Sequence, residues 1–235
     1  MQFIHPAEKV QFMEIENSVL VTFPGIAVIE GTVGSLSIAG EDLRVEMLKH
    51  DVMDGICSRY TLEEVKDDPI FRAYRDFFWR VGVDPTKTRP ASEALVRRIL
   101  AGKPIPTINT AVDVYNLASA QTGIPIAAFD ADALNGDMRM RFAQAGETFL
   151  GIGINTPISL QENQVILTDA DANGTQDIIA IYPYRDSDAT KITLDTRTIH
   201  IVACGVPGVG FDQILRAYEL AAMYLVEFAS GIRSE

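Results

Sequence analysis

Residues 109–130 read NTAVDVYNLASAQTGIPIAAFD and join a predicted helix directly to a predicted strand. Thr110 and Asp113 have the spacing of a capping box, so we expect a helix to begin here. Gly123 is suited to end that helix, and the apolar residues 126–129 have the length and composition of a buried strand. The chain therefore changes from helical to strand-like periodicity at this point.

Outside this stretch, three more helices are predicted to begin near Glu41, Pro69 and Ser92, and the last two end at Gly82 and Gly102. A C-terminal helix is predicted over 210–230, and N-terminal strands lie within 10–30. Short apolar runs predict strands at 11–16, 19–23, 26–29, 137–143, 148–154, 165–168, 178–182, 192–194 and 199–204. Strands, then helices, then strands and a final helix are the order of an α+β fold.

Residues 169–177, DADANGTQD, match the first part of a calcium-binding loop. The twelfth position of that loop is Ala180, however, so the carboxylate that usually binds calcium through both oxygens is missing. Asn173 and Gly174 lie between two predicted strands and form the strongest short hairpin signal. We interpret the segment as a hairpin and predict no metal site.

Composition and charge restrict the class of protein. The 235 residues are 47% apolar with a net charge of −12, which suits one large folded domain or two small ones. A phosphate loop, a G-x-S-x-G elbow and an H-E-x-x-H motif are all missing, so those enzyme classes are excluded. With no long apolar segment and no signal peptide pattern, we expect a cytoplasmic protein without a membrane partner. We also expect no cofactor.

Positive charge is concentrated in residues 69–103, which hold eight cations and three anions. One interpretation is that two amphipathic helices show a solvated face here. The other is that this face binds nucleic acid phosphates, because affinity for nucleic acid follows the number of phosphates neutralised. The candidate phosphate-binding residues are Arg72, Arg75, Arg89, Arg97, Arg98 and Lys103.

Four segments occur in the order that a known family shows: PIPTINTAVDVYN at 104–116, GIPIAAFD at 123–130, LNGD at 134–137 and RFAQAGE at 141–147. Together they resemble the B3/B4 domain of the phenylalanyl-tRNA synthetase β subunit. Residues 82–98 and 182–185 are similar, more specifically, to freestanding B3/B4 proteins. The resemblance covers about residues 70–205 and implies a three-layer α+β fold, with two β layers and one helical layer, as a single domain over 1–235.

In the synthetase, the pocket of this domain hydrolyses the ester that links a wrong amino acid to tRNA. The resemblance therefore implies a protein that binds tRNA or aminoacyl-tRNA, with or without deacylation of mischarged tRNA in trans. If it is an enzyme, it is then an ester hydrolase and not an aminoacylating ligase. Alternatives are a binding protein or hydrolase for an amino-acid-like small molecule without RNA, and a regulatory or protein-binding module. We expect no sequence reading of DNA.

The site residues implied by the resemblance differ from the family pattern at three positions. Ala127 stands where the family pattern has a histidine, and Tyr115 stands where it has a threonine. The pattern also has a glutamate, and none of residues 201–203 carries a carboxylate that could replace it. These differences leave the substrate and the catalytic residues open. The candidate binding residues are Asn109, Tyr115, Asn116, Ala127, Phe129, Asp130, Arg139, Tyr182, Tyr184, Arg185 and Thr190.

Structural roles compete with binding at several of these positions. Asn109 suits a helix cap as well as a ligand contact. Tyr182 and Tyr184 are two residues apart, so on a strand both rings would lie on one face of the sheet. That pair is either core filler or a platform on which a nucleotide base stacks, next to the cation Arg185.

Overall fold

The computed structural model describes residues 8–171 and 173–230, so the ends of the predicted domain, 1–7 and 231–235, lie outside the described residues. The strands of the described residues are β1 (Glu8–Phe12), β2 (Glu14–Ile15), β3 (Val28–Val33), β4 (Ile126–Asp130), β5 (Met138–Phe142), β6 (Thr148–Phe149), β7 (Ile158–Ser159), β8 (Val165–Ala170), β9 (Gln176–Ile181), β10 (Arg185–Asp186) and β11 (Ile199–Cys204). The α-helices are α1 (Asn17–Thr22), α2 (Leu43–Arg59), α3 (Pro69–Arg80), α4 (Ala91–Leu100), α5 (Thr110–Thr122) and α6 (Phe211–Phe228).

The strands form two main sheets. The four-stranded sheet has the order β1-β3-β11-β4, and all its neighbouring strands are antiparallel. The five-stranded sheet has the order β10-β9-β8-β5-β2, in which only β2 and β5 are parallel. A small third sheet pairs β6 with β7.

Two helices, α5 and α6, pack against the four-stranded sheet. The helix α6 contacts β3 and β11, and α5 packs along α6. Gly205 makes the close approach of α6 possible, since a Cβ there would collide with the side chain of Ile214 and the carbonyl oxygen of Ala27. One apolar core includes residues of the helices and of both main sheets. The predicted α+β class is confirmed.

Three strand predictions were wrong. Residues 19–23 belong largely to α1, where Val19 and Phe23 are buried one turn apart and the residues between them are exposed. Their β-branched composition favoured a strand, but the spacing of the two buried residues is helical. Residues 192–194 instead enter a turn in which Thr196 Oγ1 accepts from the backbone N–H of Thr193. Of residues 148–154, only Thr148–Phe149 form a strand.

The start of α5 differs by one residue from the predicted capping box. Asn109 is the N-cap, and its side chain accepts a hydrogen bond from the backbone N–H of Val112. The hydroxyl of Thr110 instead accepts from the backbone N–H of Ala39. Asp113 accepts from the backbone N–H of Ile108, outside the helix.

The hairpin interpretation of residues 169–177 is confirmed. The strands β8 and β9 are antiparallel neighbours on either side of the turn. Asp171 Oδ1 accepts from the backbone N–H groups of Asn173 and Thr175, and Gly174 has a φ of 81°. Within 8–171 and 173–230, no three His, Cys, Asp or Glu side chains are grouped in a way that could hold a metal ion.

Candidate functional site

Residues of α5, β4, β10 and the end of β11 lie close together at one candidate site. Tyr115 and Asp186 lie deep inside the molecule yet keep part of their surface accessible. The charge of Asp186 acts on both the Tyr115 phenol and the Cys204 thiol, and the backbone of Ala127 lies beside that thiol. We call the site formed by Tyr115, Ala127, Asp186 and Cys204 the Asp186 recess.

Asp186 is held in this position by the backbone of a short strand. In β10 it pairs with Ala180 of β9, and its carbonyl oxygen accepts a hydrogen bond from the N–H of Ile152. Its carboxyl group has no hydrogen bond or ion pair to any side chain of the described residues. Burial raises the pKa of Asp186 from 3.8 to about 7. Both the acid and the carboxylate are therefore populated at neutral pH.

The two other ionisable groups of the recess stay protonated. Burial, and then the charge of Asp186, raise the pKa of the Cys204 thiol far above its usual value. Cys204 is only 2% exposed. It is not a nucleophile at neutral pH, because the thiolate is the reactive form. The pKa of the Tyr115 phenol is raised by the same two causes, so this group is a hydrogen bond donor.

Some candidate residues belong to the recess or are sequence neighbours of its residues. Tyr115 and Ala127 are part of it, and Asn116 follows Tyr115 on α5 with some of its surface accessible. Tyr184 and Arg185 come directly before Asp186. The ring of Tyr184 packs against Phe78 with centroids 5.5 Å apart.

Other candidate residues have structural contacts away from the recess. Asn109 is the N-cap described above, and Phe129 is fully buried in the core. Asp130 Oδ2 accepts from Thr196 Oγ1 at 2.6 Å, and the N–H of Asp130 donates to the carbonyl oxygen of Thr190. These contacts connect the end of β4 to the loop that precedes β11.

Arg139 lies on β5, three strands away from β10 in the five-stranded sheet. Its guanidinium forms an ion pair with Glu14 at 2.8 Å. Both residues line a separate groove of about 540 Å³, so the structure does not bring Arg139 to the recess.

The predicted tyrosine pair on one sheet face was wrong. The strand β9 ends at Ile181, so the alternation of a strand does not extend to Tyr182 and Tyr184. Tyr182 is fully buried, its hydroxyl donates to the carbonyl oxygen of Gly205, and its ring packs edge to face against Phe77. Tyr182 is a core residue and offers no surface on which a base can stack.

Comparison with known proteins identifies the family of this chain. The model of the B3/4 domain family matches residues 73–235. The chain belongs to the B3/4 domain family. All four residues of the Asp186 recess fall within the matched range, and the predicted family resemblance is confirmed.

Relatives of this B3/4 domain include phenylalanine–tRNA ligase β subunits. The subunit from Leifsonia xyli subsp. xyli is 29% identical over 157 residues, which cover 66% of this chain and 18% of the ligase subunit. The subunit from Corynebacterium glutamicum is 32% identical over 114 residues, which cover 48% of this chain and 13% of that subunit. The chain thus spans less than a fifth of the length of these relatives.

Among solved structures, an N-terminal fragment of the phenylalanyl-tRNA synthetase β-subunit from Pyrococcus horikoshii is similar with a TM-score of 0.41 and 16% identity. That similarity covers 50% of this chain and 39% of the fragment. Within the described part of this B3/4 domain, no helix has the length and apolar character needed to cross a membrane.

The candidate phosphate-binding cations of this domain differ in how far their charges are already paired. Arg75 and Arg97 both bind Oε1 of Glu93, at 2.7 and 2.6 Å, and the side chain of Glu93 is 0% exposed. These two arginines are therefore structural partners of a buried carboxylate. Of the other four, Arg72 pairs with the exposed Asp67, and Arg98 donates to a backbone carbonyl oxygen. Arg89 and Lys103 are exposed and have no ion pair within the described residues.

A second carboxylate, Glu30 on β3, lies on the same face of the four-stranded sheet as Ala127. Val202 of β11 pairs with Glu30 on one side and with Ala127 on the other, and residues directly opposite share a face. Glu30 accepts a hydrogen bond from Gln11 and lies 3.4 Å from Nε2 of His200. The Glu30 side chain thus has a hydrogen bond partner, whereas the Asp186 side chain has none within the described residues.

Sequence reasoning missed Asp186, although it named the two residues before it. Nothing in the local sequence marks this aspartate, since its pKa results from burial by segments distant in the chain. Residues 201–203 contain no carboxylate that matches the glutamate of the family pattern. Asp186, which belongs to the other sheet, lies near Cys204 of the same strand.

Proposed function

We propose that this B3/4 domain binds the aminoacyl end of tRNA in the Asp186 recess and hydrolyses the ester in trans. The observation that carries the proposal is the Asp186 carboxyl group: it has no side-chain partner within the described residues, part of its surface stays accessible, and burial raises its pKa to about 7. A general base works best when its pKa lies near the operating pH. The kinship with phenylalanine–tRNA ligase β subunits supports tRNA as the partner.

In the proposed reaction, the Asp186 carboxylate takes a proton from a water molecule that attacks the ester carbonyl carbon. The Tyr115 phenol donates a hydrogen bond to the developing oxyanion. The bond between that carbon and the ribose oxygen then breaks, and Asp186 returns its proton to the ribose oxygen. The products are the free amino acid and uncharged tRNA, so atoms and charge balance.

We assign the phosphate contacts to Arg72, Arg89, Arg98 and Lys103. Arg75 and Arg97 are left out because both bind the buried Glu93. Arg72 is kept because its pair with Asp67 is exposed, and exposed ion pairs are weak. The helix α3, which carries Arg72, also carries Phe78, and Phe78 packs against Tyr184 two residues before Asp186. This contact between α3 and the residue before β10 supports the proposal that the basic region approaches the strand of the proposed base.

The test is a deacylation assay with a panel of misacylated tRNAs. We expect Asp186→Asn to lower the rate by about 100-fold or more, which is the usual contribution of a general base. Asp188→Asn is the matched control, because Asp188 lies two residues further on and binds Lys191 at the surface. A wild-type rate no faster than buffer contradicts the deacylase, and an unchanged rate in Asp186→Asn contradicts the assigned base.

A second candidate function is binding or hydrolysis of an amino-acid-like small molecule without RNA. The net charge of −12 and the pairing of Arg72, Arg75 and Arg97 with carboxylates favour it, since most of the surface repels phosphate. Thermal denaturation with amino acids, amino acid esters and tRNA separates the two candidates. A ligand that raises the melting temperature binds the folded state.

A further inference from the structure

A second site lies among the helices, with no residue in common with the Asp186 recess. A cavity of about 530 Å³ is bounded by the ends of α2 and α5, the start of α3 and one side of α6. A smaller cavity of about 260 Å³ adjoins it, and both include Arg59 and Gln121 in their walls. The larger volume alone lies within the usual range for small-molecule sites.

Two residues of opposite charge, both exposed, line the larger cavity. Arg216 and Glu219 are three residues apart on α6, and both side chains line the cavity. Within the described residues, neither forms an ion pair or a side-chain hydrogen bond, although residues at this spacing often pair. Each charge therefore remains available to a ligand.

Other polar groups of the wall are already oriented. Gln121 Oε1 accepts from the hydroxyl of Tyr224 at 2.8 Å, which leaves the amide NH₂ of Gln121 as a donor. The guanidinium of Arg59 lies over the ring of Tyr60, 4.7 Å from its centroid, and 3.9 Å from Asp68. Arg59 thus has partners of its own, whereas Arg216 has none within the described residues.

The rest of the wall is apolar. Ile70, Leu220 and Met223 line the larger cavity, and Val52 and Ile56 line the smaller one. Met223 is 51% exposed, so part of its apolar surface is accessible to a ligand.

We propose that this cavity binds a zwitterionic α-amino acid with an apolar side chain. The carboxylate pairs with Arg216, the ammonium group pairs with Glu219, and the side chain packs against Ile70, Leu220 and Met223. A ligand with only a negative charge would lie next to Glu219 and would not pair with it. A ligand with only a positive charge would lie next to Arg216 in the same way. A ligand that carries both charges is favoured because it satisfies both residues.

The experiment is calorimetric titration of the full chain with L-leucine, N-acetyl-L-leucine and L-leucinamide. Acetylation removes the ammonium charge, and the amide removes the carboxylate. We expect wild-type protein to bind leucine about tenfold more tightly than either derivative, as charge-assisted contacts at a partly exposed site suggest. Arg216→Gln should weaken leucine about tenfold and leave leucinamide unchanged, and Glu219→Gln should weaken leucine and leave N-acetyl-leucine unchanged.

Lys87→Gln and Glu162→Gln are the control variants, because each removes one exposed charge outside the cavity wall. Both should bind leucine like wild type. The proposal is overturned if leucine gives no heat at millimolar concentration, if the three compounds bind equally, or if neither α6 variant changes the preference. Because the Asp186 recess is itself a candidate for an amino-acid-like ligand, leucine binding is assigned to the larger cavity only through the Arg216 and Glu219 variants. Leucine binding that both variants leave unchanged overturns this proposal without contradicting a ligand in the recess.

Discussion

At the scale of single residues, Asp186 shows how an enclosed carboxyl group gains reactivity at a cost in stability. Its pKa is about 7 in the folded protein against an ordinary value of 3.8. Between these values the folded state holds the proton more tightly than the unfolded state does. The free energy of unfolding therefore falls as the pH rises from about 4 to 7, and the penalty is complete above pH 7.

This penalty predicts that Asp186→Asn stabilises the protein at alkaline pH. We expect the variant to exceed wild type by on the order of 2 to 4 kcal/mol near pH 8, with little difference near pH 4, since one pKa unit corresponds to about 1.4 kcal/mol. Thermal denaturation at both pH values measures this, with Asp188→Asn as the surface control. A variant less stable than wild type near pH 8 would mean that the carboxylate has a stabilising partner.

The residues of the recess show what the sequence alone can and cannot predict. Tyr115 and Ala127 are predicted because they replace residues of a motif. In the structure, Tyr115 lies within reach of the charge of Asp186, and the backbone of Ala127 lies beside the Cys204 thiol. Tyr182 was named on strand alternation, which fails because β9 ends one residue earlier. Asp186 belongs to no motif, and its chemistry depends on burial by other elements, so local sequence carries no signal for it.

At the scale of elements, the start of α5 allows a direct comparison of two neighbouring polar residues. Asn109 caps the helix through the N–H of Val112, while Thr110 connects the helix to the backbone of Ala39. We expect Asn109→Ala to lower the free energy of unfolding by about 1 to 2 kcal/mol and Asn109→Asp to restore most of it. Urea denaturation measures both. Equal stability of the alanine variant and wild type would contradict the assignment of the cap.

A buried ion pair connects α5 to α2 and predicts a larger effect. Lys49 Nζ lies 2.8 Å from Asp113 Oδ2, and their side chains are 5% and 2% exposed. Lys49 also donates to Glu46 and Thr107. Lys49→Met leaves the Asp113 charge buried without its cation, so we expect a loss of about 3 to 5 kcal/mol.

The double variant Lys49→Met with Asp113→Asn removes both charges, and we expect it to regain part of that loss. Urea denaturation of the two variants measures the coupling between them. Lys66→Met, at an exposed lysine with no ion pair within the described residues, is the control. If Lys49→Met alone costs less than about 1 kcal/mol, the pair does not hold α2 and α5 together.

The helices also differ in how well the sequence pattern predicts them. The helices α3 and α4 were predicted closely, because Asp68 with Pro69 and the later glycines mark their ends. The helix α1 has only six residues, so its two buried positions are too few to outweigh its β-branched composition. Short elements take their conformation from packing, which the sequence does not show.

At the scale of the whole molecule, the question is whether an acidic protein can hold RNA. A net charge of −12 repels phosphate over most of the surface, so binding depends on cations that are close together and unpaired. The structure reduces the predicted set of six, because Arg75 and Arg97 are tied to Glu93. A small number of phosphate contacts implies weak binding with a shallow dependence on salt.

The number of cations available to phosphate predicts the salt dependence of tRNA binding. For single strands the slope of log affinity against log salt is about −0.7 for each phosphate neutralised, so four cations give a slope near −3. We expect Arg89→Gln combined with Lys103→Gln to bring the slope to about −1.5, measured by filter binding at several salt concentrations. Arg44→Gln is the control, because Arg44 lies on α2 and is paired with Asp42. Binding that ignores salt, or a slope unchanged in the double variant, would remove the basic face from the mechanism and favour a small-molecule ligand in the recess.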